Sequence, residues 1–155
     1  MRLAERLARG TDRLYDRMRS PLAADAAQAA PTGTLDDLRG HKYCVVVTYK
    51  RSGEPVPSPL WFGTGNGRIY FQTGSGAAKV KRIKRNPEVR VAAATSRGRP
   101  RSAPFVGTAR IVPPDAERQA ERALQAKYGI GRRFYSLLSD RVANVYVEVT
   151  PAAPG

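Results

Sequence analysis

The sequence holds one cysteine and one histidine, Cys44 and His41. A lone cysteine excludes an internal disulfide framework and fits a reducing compartment. One thiol and one imidazole also exclude zinc sites built on clusters of those ligands, and no metal is expected. Acids are scarce: 13 Asp and Glu stand against 27 Lys and Arg, a formal net charge of +14. Long hydrophobic runs are missing too. Cys44-Val45-Val46-Val47 is the longest strongly apolar stretch, far short of the roughly 20 residues that cross a bilayer as a helix. Glu5, Asp12 and Asp16 interrupt any apolar segment behind the basic N-terminus, so a secretory signal is not expected. A soluble, cytoplasmic chain is the expectation.

What is present fits one domain. The chain has 155 residues, 41% of them hydrophobic, with 12 prolines and 14 glycines that imply many turns. The basic excess points to an anionic partner: nucleic acid, anionic lipid, or a phosphorylated or polycarboxylate small molecule. Arginine supplies 21 of the 27 cations, and the planar guanidinium suits phosphate and carboxylate. Genome composition and a solvated surface would also give an arginine-rich chain, but they do not explain clustering.

Residues 1–33 differ from the rest and read as an N-terminal arm. Six arginines accompany Leu3, Leu7, Leu14, Tyr15 and Met18 at roughly helical spacing, followed by a bland linker or weak helix. The amphipathic segment suits docking on its own domain or on a second subunit better than lying on a membrane, because its apolar stripe is thin. Residues 34–155 read as the main domain. Thr34 and Asp37 fit a capping box and Gly40 a helix stop. Alternation then predicts strands over residues 42–49, 56–62, 68–73, 89–94, 103–112 and 141–149. Tyr43, Val45, Val47 and Tyr49 are placed on one face of the first. Pro57 and Pro59 make the second irregular or edge-like. Helices are predicted over 76–86, 115–128 and 132–138. Six short strands with few helices indicate a mainly β (α+β) fold, a small barrel rather than an alternating parallel sheet.

Gly63-Thr64-Gly65-Asn66-Gly67 is not a dinucleotide fingerprint, because strand rather than helix follows it. Asn66-Gly67 is a hairpin turn. The run Thr73-Gly74-Ser75-Gly76-Ala77-Ala78-Lys79 is more informative. A strand ends, two glycines allow a tight turn, Ser75 can cap, and a helix begins. Backbone N–H groups and the helix dipole make such a start an anion site, and Lys79 adds a charge one turn in. A capped surface helix with solvated lysines fits the same residues. Val80 and Ile83 share the inward stripe, with Lys79 at its edge and Lys81, Arg82 and Arg85 outside. Residues 79–101 carry nine cations and one acid, Glu88. Base-stacking aromatics are absent there, and no helix-turn-helix, KH or RRM signature occurs; nucleic acid and membrane are not the expected partners. His41 has no nucleophile motif to serve. Asp36-Asp37 is helix-start charge, and Cys44 reads as an inert packed thiol. No catalytic residue is assigned, so an enzyme here needs a cofactor for its chemistry.

Three segments taken in order resemble a known family. They are Gly53-Glu54-Pro55-Val56-Pro57-Ser58-Pro59-Leu60-Trp61-Phe62, Arg68-Ile69-Tyr70-Phe71-Gln72-Thr73, and Lys79-Val80-Lys81-Arg82-Ile83-Lys84-Arg85-Asn86-Pro87. Together they are similar to the pyridoxamine 5'-phosphate oxidase-like split β-barrels, and within them to the coenzyme F420-dependent oxidoreductases. The likeness spans residues 34–151, and the arm has no counterpart in it. It implies a six-stranded split β-barrel with short peripheral helices and a homodimer with flavin-type sites at the subunit interface. By resemblance, Ser58, Pro59, Leu60 and Trp61 run beside the isoalloxazine-like ring. Gln72 and Thr73 meet the ribityl-phosphate region, and Ala78 and Lys79 the phosphate, in the turn that also holds Ser75. The second-strand arginine and lysine of the FMN-using oxidases are replaced around residues 57–62 by apolar side chains, so pyridoxamine-phosphate oxidase activity is not expected. Coenzyme F420 carries a phospholactyl group and an oligoglutamate tail. Lys81 and Arg82, with Arg85, Arg97, Arg99 and Arg101, would then offer that tail a groove. The implied function is hydride transfer between the deazaflavin and a small organic substrate. The alternative is an FMN-, haem- or tetrapyrrole-binding split barrel without turnover of its own.

Overall fold

The structure, a computed structural model, describes residues 21–129 and 143–153. Residues 1–20 of the arm and the expected helix over 132–138 lie outside the described residues. Among the described residues, seven antiparallel strands form one sheet: β1 (Tyr43–Tyr49), β2 (Pro55–Trp61), β3 (Gly63–Gly65), β4 (Arg68–Gly74), β5 (Glu88–Ala94), β6 (Phe105–Ile111) and β7 (Asn144–Pro151). Their order is β2-β1-β5-β6-β7-β4-β3. Helices α1 (Asp25–Gln28), α2 (Ala78–Arg85) and α3 (Glu117–Tyr128) lie around it, with 3-10 turns at Pro21–Ala24, Leu35–Leu38 and Pro114–Ala116. The expected capping box is present: the Thr34 N–H donates to Asp37 Oδ2 at 2.8 Å.

The curled sheet closes over a core that includes Phe62, Ile69, Phe71, Phe105, Val147 and Val149. This is the expected split barrel, with one strand more than the six read from the sequence. The extra element arises at Phe62. Its ring turns into the core, 1% exposed, and its N–H donates to the Tyr128 hydroxyl at 2.8 Å instead of continuing the ladder. Chain resumes as β3, which pairs back on β4 through Asn66-Gly67, φ 54° and 73°. Two consecutive positive φ angles are what a two-residue hairpin turn demands.

Strand β1 is covered on both sides, unlike a strand with one wet face. Cys44 and Val46 enter the main core. Val45 and Val47 pack outward with Ala92 and Ala94 under Ala26. Ala23 and Ala26 are fully buried, so this stretch is a docked layer rather than a linker.

One polar cluster holds the outer face of the far side. Glu148 stands directly opposite Tyr70 on β4 and Arg110 on β6. It accepts from the Tyr70 hydroxyl at 3.0 Å and from Arg110 Nε at 2.8 Å. Burial pushes its carboxyl up, but the hydrogen bonds from Arg110 and Tyr70 and the charges of Arg110 and Arg68 outweigh burial and leave it below its usual 4.5. A carboxyl depressed in the folded state contributes stability above its unfolded value and loses it as pH falls through the folded one. Glu148→Gln is therefore expected to cost about 1.5–3 kcal/mol at neutral pH, the range for hydrogen bonds to a charged group. Thermal melts should show the deficit vanishing on acidification; an equal deficit at every pH would contradict the assignment.

Candidate ligand-binding site at the split of the sheet

The barrel is split because of how three prolines alternate. In an antiparallel pair, alternate residues direct both N–H and C=O to the neighbour, and those between direct both away. Pro55, Pro57 and Pro59 face Tyr49, Val47 and Val45 across the β1–β2 ladder, while Val56, Ser58 and Leu60 face Thr48, Val46 and Cys44. The prolines lack an N–H, so the second set carries the ladder and the open edge of β2 has no donor at three successive sites. Strand β2 approaches β4 across the opening yet does not pair with it.

Most of the residues singled out from the sequence flank this opening. On β2 they divide by parity. Ser58 and Leu60 share the inward side with Cys44 and Val46, and Leu60 packs on the main core. Pro59 and Trp61 face outward. Pro59 lies so close to Gly98 that a Cβ added to the glycine would stand 3.5 Å from the proline Cβ. On β4, Thr73 shares the inward side with Phe71 and is 8% exposed. Gln72 faces the other way and stands opposite Tyr146.

The turn after β4 leads straight to the basic helix. The Ser75 N–H donates to the Ala143 carbonyl at 3.0 Å, which ties the turn to the start of β7. Ser75 does not cap. The helix starts two residues later than expected, with Ala77 as its N-cap and no side-chain cap. Ala78 and Lys79 form its first turn, both half-buried, and Val80 and Ile83 are buried. Lys81 is exposed, as expected.

Arg82 and Arg85 differ from expectation. Instead of pointing away, Arg82 Nε donates to Thr48 Oγ1 at 2.7 Å and Arg85 to the Tyr49 carbonyl at 2.7 Å. Thr48 is 1% exposed, and a buried hydroxyl needs such a partner. Both arginines therefore sit at the C-terminal end of β1. Arg97, Arg99 and Arg101 follow β5 at the other end, where Ala94 stands opposite Tyr43. Five or six strand residues, about 17–20 Å, separate the two groups. The basic residues form two patches rather than one groove.

A residue missed by the sequence reading completes the far end of β2. Tyr128, at the end of α3, stacks on Trp61 with centroids 5.0 Å apart and planes 20° from parallel. Its hydroxyl accepts from the Phe62 N–H and donates to the Lys42 carbonyl at 2.7 Å. The ammonium of Lys42 lies 5.7 Å from the Trp61 ring. Next to Tyr128, Lys127 places its ammonium 3.0 Å from the Phe62 centroid. No local pattern gives these contacts, because 66 residues separate Tyr128 from Phe62.

Burial pulls the Lys127 amine down from 10.5 to about 8, and burial pushes the Cys44 thiol up to about 12. The thiol is the inert, packed group that was expected. For Lys127 the unfolded chain holds more protons than the folded one between about 8 and 10.5, so stability rises with pH there. Cys44 acts oppositely above its ordinary 9.0, so the rise should be seen from about 8 to 9. Lys127→Met should abolish it in urea titrations; a rise of the same size in the variant would assign the effect elsewhere.

Among the described residues, no three His, Cys, Asp or Glu side chains group to hold a metal ion. None of their helices is long and apolar enough to cross a membrane.

A family profile described as pyridoxamine 5'-phosphate oxidase matches residues 33–151. The fold is similar to that of HutZ, the heme storage protein from Vibrio cholerae, at a TM-score of 0.59 and 16% identity over 77% of this chain and 87% of that one. It is also similar to an F420 reductase, at a TM-score of 0.51 and 21% identity over 80% and 97%. An FAD-binding protein from Mesorhizobium loti gives 0.52 and 16% over 76% and 84%. No curated protein matches the chain. Identities this low speak to the fold alone.

Proposed function

Because the chain belongs to the pyridoxamine 5'-phosphate oxidase family, we propose that the opening between β2 and β4 holds a flavin-type cofactor, that the cofactor is coenzyme F420, and that the protein is an oxidoreductase. The observation that carries this reading is a basic helix start that follows the end of β4, the strand across the opening from β2, after the short turn at residues 75–77. The residues present fit such a group. A planar ring suits a slot between two strands that do not pair with each other. A phosphate suits the first turn of α2, where the helix dipole and Lys79 favour negative charge. When bound, the deazaflavin supplies hydride transfer.

The chain's own part is binding and orientation. Ser58 and Leu60 would present side chains to one side of the ring, and Thr73 would close the slot from β4. Ala78 and Lys79 would hold the phosphate, with Lys81 and Arg82 beside it. Apolar residues where FMN oxidases carry cations favour the deazaflavin over FMN and speak against pyridoxamine-phosphate oxidation. Two copies would share the site, since a slot open along one edge gains its second wall from a partner subunit. The second reading, a haem or flavin binder without turnover, is favoured by the fold's likeness to a heme storage protein.

Purified protein incubated separately with F420, FMN and haem, then desalted, decides between them. Retention of the deazaflavin absorbance supports the proposal; retention of haem or FMN alone overturns it in favour of the second reading. Light scattering should show a dimer at low micromolar concentration, and a cofactor-competent monomer would contradict the shared site.

A further inference from the structure

The last turn of α3 sets an amine where no acid meets it. Lys127 is an exposed residue, yet its ammonium lies 3.0 Å from the centroid of Phe62, a ring that is itself 1% exposed. The Tyr128 ring is 5.7 Å away. Among the described residues, none forms an ion pair with Lys127. The titratable groups on the elements packed against α3 are engaged with one another. Glu121, earlier on the helix, accepts from the Tyr146 hydroxyl of β7. Glu148 of β7 accepts from Tyr70 of β4 and from Arg110, with Arg68 of β4 3.9 Å away. Asp115, in the 3-10 turn before the helix, acts on Arg110, and β3 carries no titratable side chain. The one charge that acts on the amine is that of the buried Cys44 thiol.

A ring face attracts a cation but gives it no hydrogen bond, and an unpaired ammonium withdrawn from water is costly. The site therefore favours the neutral amine, in keeping with its fall to about 8. A lysine desolvated against apolar groups is an activated nucleophile. We propose that Lys127 is an acylation site, whose amine takes the acyl group of an acyl phosphate. The nitrogen lone pair attacks the carbonyl carbon, and the bond from that carbon to the phosphate oxygen breaks. Inorganic phosphate leaves with the electron pair, and the nitrogen releases one proton to water; nothing is oxidised or reduced. An acyl donor suits the site better than an aldehyde, because an amide is neutral at every pH whereas an imine can take up a proton again. An anionic donor suits it because the Lys42 ammonium lies nearby, 5.7 Å from the Trp61 ring that stacks on Tyr128, in a chain of net charge +14. The assignment is independent of what the opening between β2 and β4 binds.

Limited reaction of the whole protein with acetyl phosphate, read as occupancy of each lysine by peptide mass spectrometry, tests this. Nα-acetyllysine amide in the same tube supplies an ordinary lysine amine, which titrates at about 10.4. Near pH 7.5, Lys127 should react about 10-fold faster than that reference, since far more of it is unprotonated. Its rate should level off above about 8 while the reference keeps climbing. Unfolding in guanidinium chloride should erase the advantage. Protein acetylated at Lys127 should also lose the rise in stability from about 8 to 9, as Lys127→Met does. A rate at or below that of the reference near pH 7.5 overturns the proposal. So does a rate that climbs without levelling to about pH 9.5, because the amine is then an ordinary one. An advantage that survives unfolding overturns it too, since the fold would not be its source. A stability rise that persists in the acetylated protein does the same, by showing that this amine is not the one the fold desolvates.

Discussion

Gly63→Ala is expected to destabilise the protein by about 1–3 kcal/mol, the usual cost of overpacking, while Gly65→Ala two residues away is expected to be tolerated. The two glycines lie on the same face of β3, but they meet α3 differently. At Gly63 an added methyl would overlap backbone: 2.4 Å from the Ala123 oxygen, 2.5 Å from its carbon and 2.8 Å from the Leu124 nitrogen. None of these atoms can rotate aside, so the helix must move as a body. At Gly65 the nearest atom is the Ala123 Cβ at 3.7 Å, ordinary contact distance. There the loss of backbone freedom in the unfolded chain favours alanine by a few tenths to about 1 kcal/mol. Urea melts of both variants measure the difference. Comparable stabilities would mean that β3 and α3 are not packed this closely. Because the same contact delivers Tyr128, Gly63→Ala should also change Trp61 emission, and Gly65→Ala should not.

The features written in neighbouring residues were legible in the sequence. The Asn66-Gly67 hairpin, the capping box at Thr34 and Asp37, and the inward stripe Val80–Ile83 all depend on local backbone demands, and the structure has each of them. The split itself was half legible. Pro57 and Pro59 marked β2 as edge-like, but only the register shows that Pro55, Pro57 and Pro59 fall on the same open side. Side-chain direction on the basic helix was misread for a physical reason. A helical wheel separates core from solvent, yet a long arginine on the outer flank can reach back to a strand end, as Arg82 does to Thr48. Composition likewise grouped Arg97, Arg99 and Arg101 with the helix, although the antiparallel β1–β5 pair carries them to its opposite end. The Trp61–Tyr128 stack joins residues that no sequence period relates. Ala23 and Ala26 read as bland, and their smallness is what lets them dock.

Lys79→Ala is expected to weaken cofactor binding by about 1.5–3 kcal/mol, the range for a hydrogen bond to a charged group. Lys79 sits in the first turn of α2, the helix that follows β4, at the edge of the stripe formed by Val80 and Ile83. The residue is half-buried, and partly buried charges are screened less than exposed ones. Removing it takes no large apolar area from the core, so melting should change little and the loss should appear in affinity. Lys81 is the internal comparison. It is exposed on the same helix, so Lys81→Ala should cost on the order of 0.2–1 kcal/mol and the cost should shrink with added salt. The separation of the two basic patches adds a further expectation for the oligoglutamate tail of F420. A continuous groove would let affinity climb steadily with each added glutamate at low ionic strength. With Arg82 and Arg85 engaged on β1 and the other arginines about 17–20 Å away, lengthening the tail should help little until it spans that gap. Titrations with F420 of increasing tail length, in parent, Lys79→Ala and Lys81→Ala, separate these terms. Unchanged affinity in Lys79→Ala would remove the phosphate from α2 and with it the reason for placing the cofactor at this end of the split.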